Sequence, residues 1–210
     1  MKILLVAATR AEIGGLATHF QLPEHDFVRA KDFDVLITGV GMTATAYALG
    51  KHLSANYKLV LNLGIAGAFN TRIPLTTVVN VTADEFAELG AEDGEQFIPI
   101  DQLGFGQARY IARNNLLHHD VEALLQVRGI TVNRVHGNKN SIESIIALCN
   151  PDVESMEGAA VLYCCTEHGL PCLQIRAISN YVEPRNKANW QIAHAIKNLN
   201  DWAIGFLTNT

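Results

Sequence analysis

Runs of Val, Ile and Leu alternate along this chain with stretches of helical periodicity, and this alternation limits the folds it can adopt. The predicted strands are Lys2–Ala7, Val35–Thr38, Leu59–Leu63, Thr77–Thr82, Ile130–Val135 and Cys172–Ile178. The predicted helices are Ala11–His19, Thr43–Ala55, Leu116–Gln126, Ser141–Leu148, Met156–His168 and Ala188–Leu207. Strands without polar alternation are typical of sheets covered on both faces. The sequence therefore predicts an α/β fold, a three-layer sandwich with a central mixed, mostly parallel twisted sheet.

The length and charge of the chain limit its organisation and its partners. At 210 residues we expect one domain, 1–210, without linkers or repeats. Its net charge of −5 argues against nucleic acid or an anionic membrane as a partner. The apolar N-terminus is too short for a signal peptide and is interrupted at Arg10 and Glu12, so we expect a cytoplasmic protein. Residues 83–110 are polar and weakly periodic, and are predicted to cross the surface.

The segment 153–184 contains the residues most suited to binding a small molecule. Ser155 is a predicted helix N-cap, which places Glu157 in the first helical turn, where the helix dipole lowers the pKa of a carboxylate. A buried strand then ends at Ser179-Asn180, where strands of open α/β sheets meet their ligands. A carboxylate accepts hydrogen bonds from sugar hydroxyls, and an amide offers one donor and one acceptor to a heterocycle. This pair predicts a nucleoside ligand.

Two glycine-containing segments follow predicted strands. Gly39–Ala44 matches the GxGxxA spacing of dinucleotide-binding proteins, but the acidic residue expected about 20 positions later is missing. We therefore expect no nicotinamide cofactor, and the segment is either a tight turn or a helix N-terminus facing a sugar or an anion. Asn62–Phe69 carries two glycines at a strand end, which suits either close approach of a ligand to the backbone or a plain turn.

Residues 153–184 resemble the signature of the nucleoside phosphorylase and nucleosidase superfamily, in Met156–Ala160 and in Arg176–Asn180. The resemblance extends to the first strand with Glu12, to the two glycine segments and to 153–202. Asn180, where many hydrolases of the superfamily have aspartate, and the tail 181–186 are similar to the futalosine hydrolases. The resemblance implies hydrolysis of the N-glycosidic bond of futalosine, with release of hypoxanthine, in a route to menaquinone.

The resemblance also implies a role for each candidate residue. Glu12 would activate the attacking water, Arg176, with a buried carboxylate partner, would help to hold it, and Asn180 would stabilise the leaving base. Glu157 would bind the ribose diol. The residues expected to contact substrate are Met156, Glu157, Ile65, Ala66, Gly67, Phe69, Asn140 and Ser179, together with Arg185 for a carboxylate on the substrate's tail.

Three alternatives remain open from the sequence. A purine nucleoside phosphorylase would need a phosphate site, and no arginine accompanies Gly39–Met42. A nucleosidase acting on methylthioadenosine or S-adenosylhomocysteine is disfavoured by Asn180, and a catalytically silent nucleoside-binding protein by the pairing of Glu12 with Glu157. The histidines have no ligand-like spacing, so we expect neither metal nor cofactor. The resemblance implies a homo-oligomer, a dimer or a dimer-based tetramer.

Overall fold

A computed structural model of the chain describes residues 2–113 and 118–209. Its strands are β1 Lys2–Ala7, β2 Phe27–Arg29, β3 Phe33–Ile37, β4 Tyr57–Ala68, β5 Val78–Phe86, β6 Gly90–Asp93, β7 Gln96–Pro99, β8 Arg109–Ile111, β9 Leu125–Thr131, β10 Val153–Ser155 and β11 Cys172–Tyr181. Its α-helices are α1 Gly14–His19, α2 Met42–His52, α3 His119–Glu122, α4 Lys139–Cys149, α5 Gly158–Glu167 and α6 Ile192–Thr208. Short 3-10 turns cover Arg10–Ile13 and Lys187–Asn189.

The described strands form a mixed central sheet in the order β10-β9-β5-β11-β4-β1-β3-β2, with β8 added to β5 and β6-β7 as a separate hairpin. The pairings of β4 with β1 and β11 are parallel, as are those of β9 with β5 and β10, whereas β5 is antiparallel to β11. Strand β10 pairs with both β9 and β4, so five strands close into a ring at one end of the sheet. This ring brings the ends of distant strands together.

Side chains of alternating residues on β1 show why the fold has three layers. Ile3 and Leu5 pack in a core with residues of α1 and α6. Leu4 and Val6 face the opposite way, into a core with residues of α2 and α5. Because successive strand residues point to opposite faces, an uninterrupted apolar strand requires helices on both sides. The predicted α/β sandwich is confirmed.

Several predicted boundaries were wrong. The predicted helix Leu116–Gln126 lies partly outside the described residues, and within them only α3 is helical, while Leu125 already begins β9. In place of the predicted strand Ile130–Val135, the structure has β9 from Leu125 to Thr131, where the chain pairs with β5 and β10. Residues 83–110 do not only cross the surface, since 83–86 complete β5 and β8 extends the sheet.

No helix among the described residues combines the length and the apolar character needed to cross a membrane. The longest described helix, α6, has 17 residues and a polar face that carries Lys197 and Asp201. It begins at Ile192 rather than at the predicted Ala188, because Trp190 has an extended backbone that ends the preceding 3-10 turn.

Candidate active site

A cleft of about 390 Å³ lies where β1, β4, β10 and β11 end. It brings together nine of the residues predicted from the sequence: Glu12, Ile65, Ala66, Gly67, Met156, Glu157, Ser179, Asn180 and Arg185. Arg176 lies beneath this surface, and Phe69 and Asn140 do not line the cleft. Asn140 is exposed in the first turn of α4, where its N–H bonds to the N-cap Asn138. Asn140 therefore lies on the exposed surface of α4, outside the cleft.

Glu12 occupies the turn after β1 and is almost buried, with 9% of its surface exposed. Its Oε2 accepts hydrogen bonds from the backbone N–H and the hydroxyl of Thr9, both at 2.9 Å. Its Oε1 accepts one from the N–H of Ile65 at 3.2 Å. The turn itself is anchored from α6, because Asn200 donates to the Glu12 carbonyl oxygen. The carboxylate is therefore held in one orientation at the cleft wall.

Arg176 on β11 is fully buried, as the sequence predicted, but its partners differ from the prediction. Its Nη1 donates to the carbonyl oxygens of Asn62 and Ile175, at 3.4 and 3.2 Å. Within the described residues no carboxylate forms an ion pair with it, and its Nε has no partner. A Cβ on Gly64 would lie 3.1 Å from Glu12 Oε1 and 3.2 Å from Arg176 Nη1. The missing side chain at Gly64 thus lets these two groups approach.

Glu157 is the N-cap residue of α5, which begins two residues later than predicted. Its Oε1 accepts the N–H of Gly41 at 2.9 Å. Burial raises the pKa of Glu157, although the Gly41 bond and the charge of Arg176 act to lower it. The predicted lowering of this pKa was therefore wrong in direction, because the loss of hydration outweighs the favourable dipoles.

The glycine turn before α2 donates a hydrogen bond to Glu157. Gly39 and Gly41 have positive φ angles of 81° and 95°, a conformation that glycine adopts without strain. In that conformation the Gly41 N–H points at a carboxylate, which is an anion of the protein itself. A second anion at this helix start would face the Glu157 charge. The arrangement disfavours phosphate there.

Asn180 owes its position to an irregularity in β11. The register against β4 shifts between Ile178 and Asn180, which leaves Ser179 as the extra residue of a β-bulge. Bulges redirect the side chains that follow them. The Ser179 hydroxyl lies 2.8 Å from Asn180 Oδ1, and Asn180 Nδ2 donates to the carbonyl oxygen of Tyr181 at 3.0 Å. A flipped amide would place two oxygens together, so this orientation is fixed.

Gly67 provides the space that the Asn180 amide occupies. A Cβ at this position would lie 3.2 Å from Asn180 Nδ2, 3.0 Å from Val182 Cγ2 and 3.7 Å from Glu154 Cγ. The first and second of these distances are shorter than ordinary packing contacts. The glycine is therefore needed for close approach of the amide.

The side chains of His136 and Glu154 line the same cleft, and the sequence assigned no role to either side chain. Glu154 is 4% exposed and accepts two hydrogen bonds from His136, one from the backbone N–H at 3.0 Å and one from Nδ1 at 2.6 Å. Burial raises the pKa of Glu154, and the bonds from His136 oppose this. Phe69 packs edge-on against the His136 ring. In the sequence, Glu154 was marked only by its position two residues before Met156-Glu157.

A buried polar network supports the start of α5. Asp84 accepts hydrogen bonds from Thr131 at 2.9 Å and Gln174 at 2.6 Å, and the Thr131 hydroxyl accepts the N–H of Ala159 at 2.7 Å. Burial raises the pKa of Asp84 to about 6, although these bonds and Arg176 lower it. The network fixes the first turn of α5 and with it Glu157.

The outer part of the cleft combines a cation with apolar surface. The Arg185 guanidinium lies over the ring of Trp190, with its carbon 4.9 Å from the ring centroid. Glu183 is bonded to Asn189 rather than to Arg185. Ile192 and Trp190 line the cleft here. Across the described part of the chain, no group of three or more His, Cys, Asp or Glu side chains is placed to hold a metal ion.

Comparison with known proteins places this cleft in a family. Residues 3–205 match the phosphorylase superfamily. A futalosine hydrolase from Streptomyces coelicolor is 31% identical over 225 residues, covering 99% of this chain and 95% of that protein. The chain belongs to the futalosine hydrolase family of the phosphorylase superfamily. A second futalosine hydrolase, from Thermus thermophilus, is 28% identical over 179 residues, which are 82% of this chain and 80% of that protein.

Solved structures share the fold at low sequence identity. Futalosine hydrolase of Helicobacter pylori superposes with a TM-score of 0.84 at 16% identity, covering 100% of this chain and 98% of that one. The 5′-methylthioadenosine/S-adenosylhomocysteine nucleosidase of the same organism, solved with butyl-thio-DADMe-Immucillin-A, also gives 0.84, at 17% identity and 100% and 99% coverage. The fold is thus common to enzymes named for different nucleosides.

Proposed function

We propose that this protein hydrolyses the N-glycosidic bond of futalosine and releases hypoxanthine. Family membership supports the reaction class, and the observation that carries the choice of base is the fixed amide of Asn180. Its Nδ2 has a second hydrogen and its Oδ1 a second lone pair, both available to a ligand. This pattern complements O6 and a protonated N7 of a 6-oxopurine.

In the proposed reaction, the C1′–N9 bond breaks and its electron pair leaves with the base. Positive charge develops on the ribose as water attacks C1′ and gives a proton to Glu12. The three hydrogen bonds from Thr9 and Ile65 fix the carboxylate, so the base is already oriented when substrate arrives. Orientation of this kind lowers the barrier without reorganisation during the reaction.

Glu157 and Met156 bind the ribose in this proposal. Oε1 of Glu157 accepts the N–H of Gly41, and a carboxylate has further acceptor positions that suit the 2′ and 3′ hydroxyls. The negative charge also stabilises the cationic ribose of the transition state. Arg176 acts from beneath, where its charge lowers the pKa of Glu157 and so favours the ionised carboxylate.

The Arg185–Trp190 pair binds the aromatic carboxylate end of the substrate. The ring of Trp190 provides a stacking surface, and the exposed guanidinium provides paired donors for a planar carboxylate. Both residues line the outer cleft. Inosine, which lacks this tail, gains nothing from these contacts.

One assay tests the proposed function. The protein is incubated separately with futalosine, inosine and 5′-methylthioadenosine, with and without phosphate, and the released base is identified by chromatography. We expect hypoxanthine from futalosine at a rate independent of phosphate. Release of adenine in preference to hypoxanthine, or turnover that requires phosphate, would overturn the proposal.

We also propose that the reaction takes place in the cytoplasm, as part of menaquinone biosynthesis, and that the protein is a homo-oligomer. The four cysteines are free, as expected of a reducing compartment. In such an assembly the exposed side chains of Tyr47 and Phe105, 75% and 81% accessible, are candidates for the contact between copies. Light scattering after size-exclusion chromatography measures the assembly, and a monomer at working concentration contradicts it.

A further inference from the structure

A proton must reach the departing base, and the amide of Asn180 cannot supply it. The Asn180 carbonyl can accept a hydrogen bond from a protonated N7, but an uncharged amide has no acidic proton to give. Hypoxanthine that leaves without a proton carries a full negative charge, which raises the barrier. A group with an exchangeable proton is therefore needed beside Asn180.

His136 has the position and the partner for this task. Glu154 binds its backbone N–H and its ring Nδ1, so the carboxylate fixes the orientation of the ring. Nδ1 faces Glu154, which directs Nε2 away from it. Within the described residues Nε2 has no hydrogen-bond partner, and His136 lines the cleft. With Nδ1 held by the carboxylate, Nε2 is the ring nitrogen left to exchange a proton with a ligand.

Contacts around Gly67 place this pair next to the base-binding amide. One point, the position of a Cβ on Gly67, is 3.2 Å from Asn180 Nδ2 and 3.7 Å from Glu154 Cγ. The loop after His136 is also tied to this side of the cleft, because the N–H of Arg185 donates to the carbonyl oxygen of Gly137. Glu154, with His136 bonded to it, and the amide of Asn180 therefore lie on the same side of the cleft.

We propose that His136 is the general acid of the reaction and that Glu154 is its positioning residue. The inference rests on the proposed glycosidic hydrolysis. As C1′–N9 breaks, the electron pair moves onto the base and the Nε2 proton of His136 moves to N7. The attacking water forms the new C1′–O bond and gives its proton to Glu12. Glu12 then releases its proton to solvent and solvent returns a proton to His136, so the cycle balances with water as the only co-reactant.

The test compares leaving groups that need a proton with one that does not. His136→Asn keeps a side-chain donor for Glu154 and removes the acid. We expect its kcat on inosine and futalosine to fall by about 10²–10⁴-fold, with little loss on 4-nitrophenyl riboside, whose nitrophenolate leaves unprotonated. His25→Asn, in an exposed loop, is the matched control and should match wild type on all three. Equal losses of His136→Asn on every substrate would indicate a structural role and overturn the proposal.

A binding measurement separates catalysis from recognition. In a Glu12→Gln background, calorimetry gives the Kd for inosine with and without His136→Asn. An unchanged Kd supports a role in the transition state, whereas a Kd weakened as much as the rate overturns it in favour of base recognition. If the wild-type protein does not hydrolyse 4-nitrophenyl riboside, the comparison of Kd values alone tests the role of His136.

Glu154 is tested through His136. Glu154→Gln should lower kcat on inosine, and adding it to His136→Asn should cause no further loss, because the two residues act as one unit. Additive losses of kcat would show that Glu154 and His136 act independently. A wild-type protein that cleaves no nucleoside would defeat the proposed function itself, whereas cleavage with an unaffected His136→Asn variant would defeat only this inference.

Discussion

Two groups of polar residues, in the cleft and directly beneath it, differ in how they are held. The carboxylate cluster, Glu12, Glu157 and Arg176, is held by backbone N–H groups and carbonyl oxygens of the turns around it. The histidine–amide cluster, Asn180, His136 and Glu154, is held mainly by bonds between its own side chains and their immediate neighbours.

This difference indicates a division of roles. Main-chain donors are set by the fold and do not depend on which base is bound, so the carboxylate cluster suits the ribose and the water common to all nucleosides. The side-chain bonds of the histidine–amide cluster fix donors and acceptors whose pattern can match one base and reject another. Mutations in the first cluster should lower turnover of every nucleoside, and mutations at Asn180 should change the preferred base.

The largest effect is expected at Glu12. Glu12→Gln keeps the acceptor for Ile65 and removes the base, so kcat should fall by about 10²–10⁴-fold on futalosine and inosine alike. Calorimetry should show nearly unchanged substrate binding. Glu24→Gln, exposed in a loop, is the control. Activity close to wild type would remove Glu12 from the chemistry.

Asp84 tests the support beneath the carboxylate cluster. Its folded-state pKa of about 6 lies above the ordinary aspartate value of 3.8 because of burial, so its contribution to stability is present below pH 4 and is lost as the pH rises through 6. Between pH 4 and 7 the loss is up to about 3 kcal/mol. Asp84→Asn should remove this part of the pH dependence, measured by urea unfolding.

The matched control for Asp84 is Asp93→Asn at the exposed tip of the β6-β7 hairpin. Its unfolding free energy should follow that of the wild type across the whole pH range. If the Asp84→Asn curve also runs parallel to wild type, the buried carboxyl does not titrate in this window.

Glu157→Gln should weaken binding of every ribonucleoside by about 1.5–3 kcal/mol, because a neutral amide loses the charge-assisted bonds from the diol. The mutant should discriminate little between inosine and its 2′,3′-dideoxy analogue, which lacks both hydroxyls. Calorimetry gives the Kd of wild type and of Glu157→Gln for each of the two nucleosides, which allows the two losses of binding energy to be compared. Simple addition of the two losses would show that Glu157 does not contact the diol.

Asn180→Asp should act on base choice. A carboxylate cannot donate to O6, so the preference of the wild type for inosine over adenosine should narrow by about 1–3 kcal/mol. The ratio of the two kcat/KM values is the measurement, with Asn56→Asp in an exposed turn as control. A wild type with equal efficiency on both nucleosides would end the assignment of base choice to this cluster.

The smallest effect is expected at Arg185, outside both clusters. Arg185→Ala should lower kcat/KM for futalosine by about 0.2–1 kcal/mol, as for an exposed ion pair, and leave inosine unaffected. Lys187→Ala, in the same loop, controls for a general loss of positive charge. Equal effects on the two substrates would show that Arg185 does not bind the tail.

Some of the site was predictable because it depends on local order. Glu12 and Asn180 each lie within a few residues of the end of a predicted apolar strand, and parallel strands place such ends together. Glu157 was predicted from a helix start and from the resemblance to the nucleosidase superfamily. The start of α5 was misplaced by two residues because Glu157 serves as the N-cap and Ser155 remains in β10. That outcome depends on the pairing of β10 with β9 and β4, which no local pattern encodes.

By itself, the sequence determined the α/β sandwich, the position of the candidate site at the strand ends, and the acidic and amide residues found there. The fold follows from apolar periodicity, and the residues follow from short-range motifs together with the resemblance to the nucleosidase superfamily. Only the tertiary structure decided that His136 bonds to Glu154, that Asp84 supports α5 through Thr131, and that burial raises the pKa of Glu157. Each depends on groups distant in sequence or on exclusion of water, both of which are set by how the strands pack.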